Sequence, residues 1–392
     1  MALHPELGYF DEGADLTDPS LYEGARGEFG HASILNPVAF RSRIFAELED
    51  EKIWTRLWCC IGSEQQIPAV GDLLPYTLGN HGVHVQRTET GYSGRFNFAQ
   101  HGGCRAVPAQ CQTGTKTRCS YTSCGYSRDR DVIRIADVDE DTPVLRHFVG
   151  DMPERMLPVS VDTWQGRVFV NIDQNAASLQ EQLTGLDGAI GVDLAAFEDQ
   201  AGFWQKHDGN WKVLLGALAQ TLGDEFDDGR GDPMVQPAPT TMTDDIAPGF
   251  VVARETASAG ADPRTLCWVF PNLILDISGP WFAMIIVQPT GLDESLVRVR
   301  IAGTAAVAGD ASAIAAQKIR WQERLQRAND LAGWRQKEFS EWGTPHKPET
   351  SVDVLPTAEG GAAYLFQRYL IERLLAEHDY VWNAPLYTSA RR

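Results

Sequence analysis

The sequence predicts an α+β protein of two domains behind an N-terminal arm, and three observations carry that expectation. Short apolar runs broken by Pro and Gly recur between 66 and 86 and over 159–173, the pattern of antiparallel strands joined by tight turns. Four further strand-like runs, 250–253, 265–275, 281–288 and 297–303, follow with no helical segment between them and read as one antiparallel sheet. Stretches at 210–222, 325–339 and 362–378 place apolar residues three or four apart, as helices do when they bury one face on a sheet.

Residues 1–36 are rich in Gly, Pro, Asp and Glu with little periodicity, and read either as an arm ordered by another surface or as a disordered tail. From Pro37 the pattern changes. Phe40, Ile44, Phe45, Leu48, Ile53 and Leu57 recur at helical spacing between acids, which predicts an amphipathic helix ending near Trp58. A β-rich domain follows, and its last strand pair turns at Gln165-Gly166. The expected boundaries are an arm at 1–36, a β domain with its preceding helix at 37–165, and a second domain at 166–392. Residues 177–205 read as helix and loop. Asn210-Trp211-Lys212 then opens a helix with Trp211, Leu214, Leu215, Leu218 and Leu222 on one stripe. The opposite stripe holds Gly216, Gln220, Gly223 or Asp224, and Asp228. Of the two closing helices, 362–378 is expected to be the longer and more amphipathic; an Ala-rich tract, 305–316, is the only low-complexity stretch.

The chain has 392 residues, 43% of them hydrophobic, enough to bury a large core. With 34 Lys and Arg against 53 Asp and Glu, its net charge of −19 repels phosphate backbones and anionic lipid, which argues against nucleic acid or a membrane surface as partner. The opening thirty residues lack a charged-then-apolar signal segment, and no later run is apolar for the length of a bilayer span, so a cytoplasmic protein is expected. Seven cysteines, odd in number and mostly clustered, suit reduced thiols or a metal better than a secreted disulfide framework.

Four of those cysteines and a histidine fall in one short stretch: His101, Cys104, Cys111, Cys119 and Cys124. Thiolate and imidazole are the donors that hold zinc or iron–sulfur clusters, and the intervening glycines let a backbone converge on a metal. The spacings are Cys-x6-Cys and Cys-x4-Cys rather than the CxxC of a zinc site, so a loop of buried or partly oxidised thiols stands as the alternative. Cys267, beside Trp268 in a strand, and the Cys59-Cys60 pair read as packing thiols. No phosphate-binding Gly loop with a Lys and no Gly-x-Ser-x-Gly elbow is present.

The same stretch carries a resemblance. Asn97-Phe98-Ala99-Gln100-His101-Gly102-Gly103, followed by Cys119-Ser120-Tyr121-Thr122, resembles the two cluster-binding fingers of the Rieske non-haem iron oxygenase α subunits, the aromatic-ring-hydroxylating dioxygenase family. That family reads Asn-x-Cys-x-His-x-Gly and Cys-Pro-Tyr-His, with two Cys on one iron and two His on the other. Residues 159–173 and the Thr55-Arg56-Leu57-Trp58 run resemble framework segments of the same family. The resemblance runs from about Pro37 to Tyr387. It implies a Rieske-like antiparallel β domain followed by a helix-grip (START-like) domain of the oxygenase catalytic type with a long C-terminal helix.

The ligand positions implied by this resemblance are altered in this chain. Ala99 stands where the first finger has Cys, and Thr122 where the second has His, so each iron would lose one protein ligand. On the Asn-Trp-Lys helix the family carries Asp-x-x-His-x4-His, two ligands of a mononuclear iron and an aspartate linking it to a neighbouring subunit's cluster. Here Gln220, Gly223 and Asp228 occupy those positions, or Thr221, Asp224 and Gly229 if the alignment shifts by one residue, with no histidine either way, and Asp330 is the match for the third ligand. Iron(II) in an oxygenase needs a face of two His and one carboxylate. The acids Asp224, Glu225, Asp227 and Asp228 offer oxygen ligands for a hard cation, but without calcium-loop spacing they read as a solvated turn. His207, before the helix, reads as a structural hydrogen-bonding residue.

Loss of cluster, catalyst and the aspartate between them, with framework motifs retained, implies that none keeps its original work. The leading expectation is a non-catalytic α-subunit-like protein that stabilises an active Rieske oxygenase α subunit in a trimer-based hetero-oligomer. None of the family's cofactors is then expected at full occupancy, and zinc is the candidate at the cysteine cluster. A second reading is an oxygenase with a rearranged metal site acting on an aromatic or other small hydrophobic substrate. A third is a small-ligand binder using a cavity beneath 211–222.

Overall fold

The structure is a computed structural model, and it describes residues 9–96, 158–224, 234–237, 249–255, 264–342 and 361–377. Strand β1 (Phe10–Asp11) pairs with β2 (Ala14–Asp15), after which Pro19–Tyr22 and Gly24–Arg26 form 3₁₀ turns. This arm is ordered: Leu16, Tyr22, Ala25, Ala32 and Leu35 are buried. The single helix expected over 37–58 is instead two, α1 (Val38–Arg41) and α2 (Arg43–Glu49), followed by a π-helical turn at Asp50–Trp54. The break is at Ser42, whose extended backbone lets its hydroxyl accept the Phe45 N–H at 2.9 Å, so a capping bond replaces helix continuation.

The chain divides into two compact units, one containing Trp54–Leu179, the other Leu3–Ile53 with Gln180–His378. The first holds a six-stranded antiparallel sheet of β3 (Cys59–Ser63), β4 (Leu73–Leu78), β5 (His81–Thr88), β6 (Gly91–Phe96), β7 (Pro158–Trp164) and β8 (Arg167–Asn171), in the order β3-β8-β7-β6-β5-β4. Gln165 and Gly166 both take positive φ, 45° and 78°, which suits a two-residue hairpin turn with the twist of its strands. At Gly94 a Cβ would lie 2.5 Å from the Val159 carbonyl oxygen, so β6 meets β7 only because that residue has no side chain. The boundary expected at 165 falls in the turn of the β7–β8 hairpin, which lies whole in this unit, whereas α1 and α2 belong to the other.

The second unit continues with α3 (Leu179–Gln182), α4 (Leu186–Ile190) and β9 (Glu198–Asp208), an eleven-residue strand where loop was expected. Then come α5 (Trp211–Asp224), β10 (Met234–Pro237), β11 (Phe250–Glu255), β12 (Arg264–Val269), β13 (Leu273–Ser278), β14 (Trp281–Pro289), β15 (Glu294–Gly303), α6 (Ala311–Glu341) and α7 (Gly361–Leu375). The sheet is antiparallel throughout, in the order β10-β11-β12-β13-β14-β15-β9. The run 265–275 is two strands, divided at Phe270-Pro271-Asn272, where proline has no N–H to give a ladder. Of the closing helices α6 is the longer, 31 residues against 15, because the Ala-rich tract forms its first turns and Asp310 accepts the Ser312 and Ala313 N–H groups at 3.0 Å. No helix among the described residues is long and apolar enough to cross a membrane.

The arm is ordered by α7. Gln367 donates through Nε2 to the carbonyls of Ala25 (3.0 Å) and Ser33 (2.8 Å), and its Oε1 accepts the Leu35 N–H at 3.1 Å. Tyr364 adds a bond to the Gly27 carbonyl and a ring contact with Phe29. Each such bond contributes on the order of 1 kcal/mol net, and buried carbonyls left unpaired cost more. Gln367→Ala is therefore expected to speed amide exchange and proteolytic cleavage at residues 24–36 while α5 and the seven-stranded sheet stay protected, as exchange mass spectrometry would read.

Candidate functional site

Helix α5 opens with Asn210, whose side-chain oxygen accepts the Lys212 N–H at 3.1 Å. Its stripe of Trp211, Leu214, Leu215, Leu218 and Leu222 is buried, as the spacing predicts. At the helix start, Glu49 from α2 and Lys212 form a buried ion pair at 2.6 Å, and Trp211 Nε1 donates to the other Glu49 oxygen at 3.1 Å. The Lys212 ammonium stands 5.3–5.6 Å from the ring centroids of Phe45, Trp211 and Phe40, an aromatic cage that stabilises a cation. Burial pushes the Glu49 carboxyl up and the Lys212 ammonium down, and each partner's charge opposes the shift of the other.

The opposite stripe meets a cation from α6. Arg335 Nη2 donates to Gln220 Oε1 at 2.8 Å, and a Cβ on Gly216 would lie 3.9 Å from Arg335 Nη1. The guanidinium thus spans one turn of α5 at positions 216 and 220. Gly223 falls three residues on and has no side chain to offer. Asp330 is exposed and accepts from Gln326 Nε2 at 2.8 Å on its own helix. Five residues separate it from Arg335, about 140° around a helix of 3.6 residues per turn, so Asp330 and Gln220 are not brought together. Ala99, His101, Cys104, Cys111, Cys119, Thr122, Cys124 and Asp228 lie outside the described residues. Among the described residues no three His, Cys, Asp or Glu side chains gather as a metal set. A carboxamide bound to a guanidinium beside a glycine does not fit a mononuclear iron, which needs imidazoles and a carboxylate.

Sequence reasoning missed a second polar centre. Asp276 on β13 takes a bidentate contact from Arg264 (2.8 and 2.7 Å) and a third from Arg324 of α6 at 3.1 Å, and all three are buried. Burial works to raise the Asp276 carboxyl, but the guanidinium groups outweigh it and hold it below the usual range. Beside it a recess of about 20 Å³, lined by Asp276, Ser278, Trp281, Gln317 and Arg320, has room for one water-sized body. It lies between β13–β14 and α6.

His207 is buried on β9 with its imidazole held down to about 4 by desolvation, the Asn329 side chain opposing; a neutral structural histidine results. Cys59, Cys60 and Cys267 are buried free thiols whose burial raises their pKa values, that of Cys60 to about 12. Burial of this kind suits thiols that pack rather than react.

No family model matches the chain. It is 29% identical over 151 residues to the biphenyl 2,3-dioxygenase α subunit of Rhodococcus jostii (strain RHA1), covering 38% of this chain and 32% of that protein. To the benzene 1,2-dioxygenase α subunit of Pseudomonas putida it is 27% identical over 262 residues, 64% of this chain and 56% of that one. The matched stretches thus span a third to just over half of these relatives' length. The chain is a relative of the Rieske oxygenase α subunits. Solved structures share its fold: naphthalene 1,2-dioxygenase with indole bound superposes at a TM-score of 0.62, 14% identical, over 96% of this chain and 98% of that one. The quaternary ammonium Rieske monooxygenase CntA superposes at 0.60, 16% identical, over 88% and 96%.

The buried histidines set a pH dependence. His207 at about 4 and His84 at about 3 both lie below the unfolded value of 6.5, so between those limits the unfolded chain binds more protons and stability falls as pH falls. At pH 5 each contributes a loss of about 2 kcal/mol relative to neutral pH, at 1.36 kcal/mol per unit. Urea unfolding of the wild type and His207→Gln at pH 7 and pH 5 should show the variant losing about 2 kcal/mol less.

Proposed function

We propose that this chain is a non-catalytic relative of the Rieske oxygenase α subunits, and that it stabilises an active α subunit within a trimer-based hetero-oligomer in the cytoplasm. The observation that carries this is the state of the helix that bears the mononuclear iron in the family: Gln220 is bound to Arg335, and Gly223 supplies no donor. The same loss in the finger region, where Ala99 and Thr122 replace a Cys and a His, removes one ligand from each cluster iron. What persists is framework: two antiparallel sheets, the Asn-Trp-Lys helix and the helices closing on it. Electron transfer in the family crosses between neighbouring subunits, so a chain without either centre supports the active ring by stacking against it rather than by taking a place within it. The relatives matched here are themselves named as α subunits, which supports an assembly with companion chains. His101, Cys104, Cys111, Cys119 and Cys124 are the candidate zinc set of this reading.

Iron, zinc and acid-labile sulfide per chain, measured on fresh protein with its visible spectrum, test the catalytic half. The expected result is no sulfide and well under one iron, with zinc up to one; two irons with sulfide, or one tightly held iron, overturns it. The partner half is tested by isolating the chain from its native source, where an oxygenase α subunit should accompany it. A lone homo-oligomer sinks that half.

A further inference from the structure

We propose that the outer edge of β9 is the surface on which two copies of this chain pair, their β9 strands running antiparallel about a two-fold axis at Trp204. β9 is the last strand of the seven-stranded sheet and pairs with β15; among the described residues no strand lies against its other side. An edge strand presents a row of backbone donors and acceptors that another strand can complete. The opposite edge, β10, is four residues long and ends in Pro237, whereas β9 runs for eleven.

The open part of this edge is bounded at both ends. At the last residue of β9 the Asp208 N–H is taken by Asn329 Oδ1 of α6 at 2.9 Å, so Asp208 turns its backbone away from β15. Backbone groups alternate sides along an antiparallel strand, which turns those of Gly202, Trp204 and Lys206 outward as well. At the other end the ladder with β15 shifts register beyond Ala201, and the Gln200 side chain accepts the Gly309 N–H at 3.0 Å. Residues 201–207 therefore form an open window with Trp204 at its centre. A second β9 laid antiparallel on this window sets Trp204 against its own copy and Gly202 against Lys206, and so completes all three outward residues at once. Registers shifted by two residues set Gln200 or Asp208 against an outward residue instead. The side chains agree with the central register. Trp204 is half-exposed, and the two indoles meet across the axis as an aromatic cross-strand pair. Arg300 lies where a Gly202 side chain would be and is bound to Asp199 at 2.8 Å, while Lys206 is bound to Glu294 at 3.1 Å. With Lys206 of one copy opposite Gly202 of the other, each end of the pairing gathers two cations with two carboxylates, so no like charges are left to repel.

Sedimentation velocity on the full chain at micromolar concentration should give a mass that is an even multiple of one chain, and Trp204→Pro should halve it. Proline there removes an N–H that faces outward rather than one that bonds β15, the placement an edge strand tolerates. The loss of two backbone bonds and one aromatic pair weakens association on the order of a hundredfold. A single chain or an odd multiple for the native sequence, or a Trp204→Pro variant that keeps its mass, overturns the proposal. Should Trp204→Pro fail to fold, as its melting curve would show, cysteine cross-linking decides. Facing Cα atoms in a hydrogen-bonded antiparallel pair are about 5.5 Å apart, within disulfide reach, whereas the two copies of residue 206 lie four residues apart along the strands, roughly 14 Å. Under mild oxidation Trp204→Cys should form a covalent dimer above the level of the native sequence, and Lys206→Cys should not. No dimer at position 204, or equal amounts at both positions, overturns the proposal.

Discussion

The ion pair of Glu49 with Lys212 is the contact on which the second unit depends. It joins α2, near the start of the chain, to the first turn of α5, 163 positions later, and it is buried on both sides. Two charges out of water are costly unless geometry and neighbours compensate. Here Trp211 donates to the carboxylate while three aromatic faces surround the ammonium. Around it the polar ties continue: Gln336 of α6 donates to the Phe40 carbonyl and accepts the Asn210 N–H, and Arg41 of α1 reaches the carbonyls of Phe339 and Trp342. Residues 3–53 therefore group with 180–378 because the end of α2 supplies the counter-charge at the opening of α5.

Much of this fold was legible in the sequence where apolar runs are bounded by turn residues or recur at helical spacing. β4, β8, β13 and β14 are buried almost throughout and show as short continuous apolar runs between Pro and Gly, whereas the Trp211–Leu222 stripe of α5 carries its helical period openly. β9 does neither: its residues are mostly half-exposed at the sheet edge, so Glu198–Asp208 shows no alternation. The first ten residues of α6 are exposed or half-exposed and carry no apolar period, so the Ala-rich tract read as low complexity although its second half, 311–316, begins the helix through high helix propensity. Ser42 hid its break for another reason: the apolar spacing runs straight through it, and only the competing hydroxyl bond divides α1 from α2.

The candidate site was half legible. Residue identity alone shows that Gly223 has no side-chain donor and that Gln220 is neither an imidazole nor a carboxylate. The partner of Gln220 was not readable, because Arg335 lies on another helix and no local pattern pairs the two. Asp330 matched by position in a loosely aligned segment, and helical phase turns it to the outside with Gln326 instead. The Asp276 centre escaped for a similar reason: Arg264 and Asp276 are cross-strand neighbours only once β12 and β13 are in register, and Arg324 arrives from α6.

These polar centres hold the framework of the second unit together. Asp276 with Arg264 and Arg324 fastens α6 to the sheet, Glu49 with Lys212 fastens α2 to α5, and Gln367 fastens the arm to α7. Each uses only protein donors and acceptors, and together they tie the helices of the second unit to its sheet and to one another, the framework on which a site is grafted. On the opposite stripe of α5, Gln220 accepts a bond from Arg335, and neither Gln220 nor Gly223 presents an imidazole or a carboxylate.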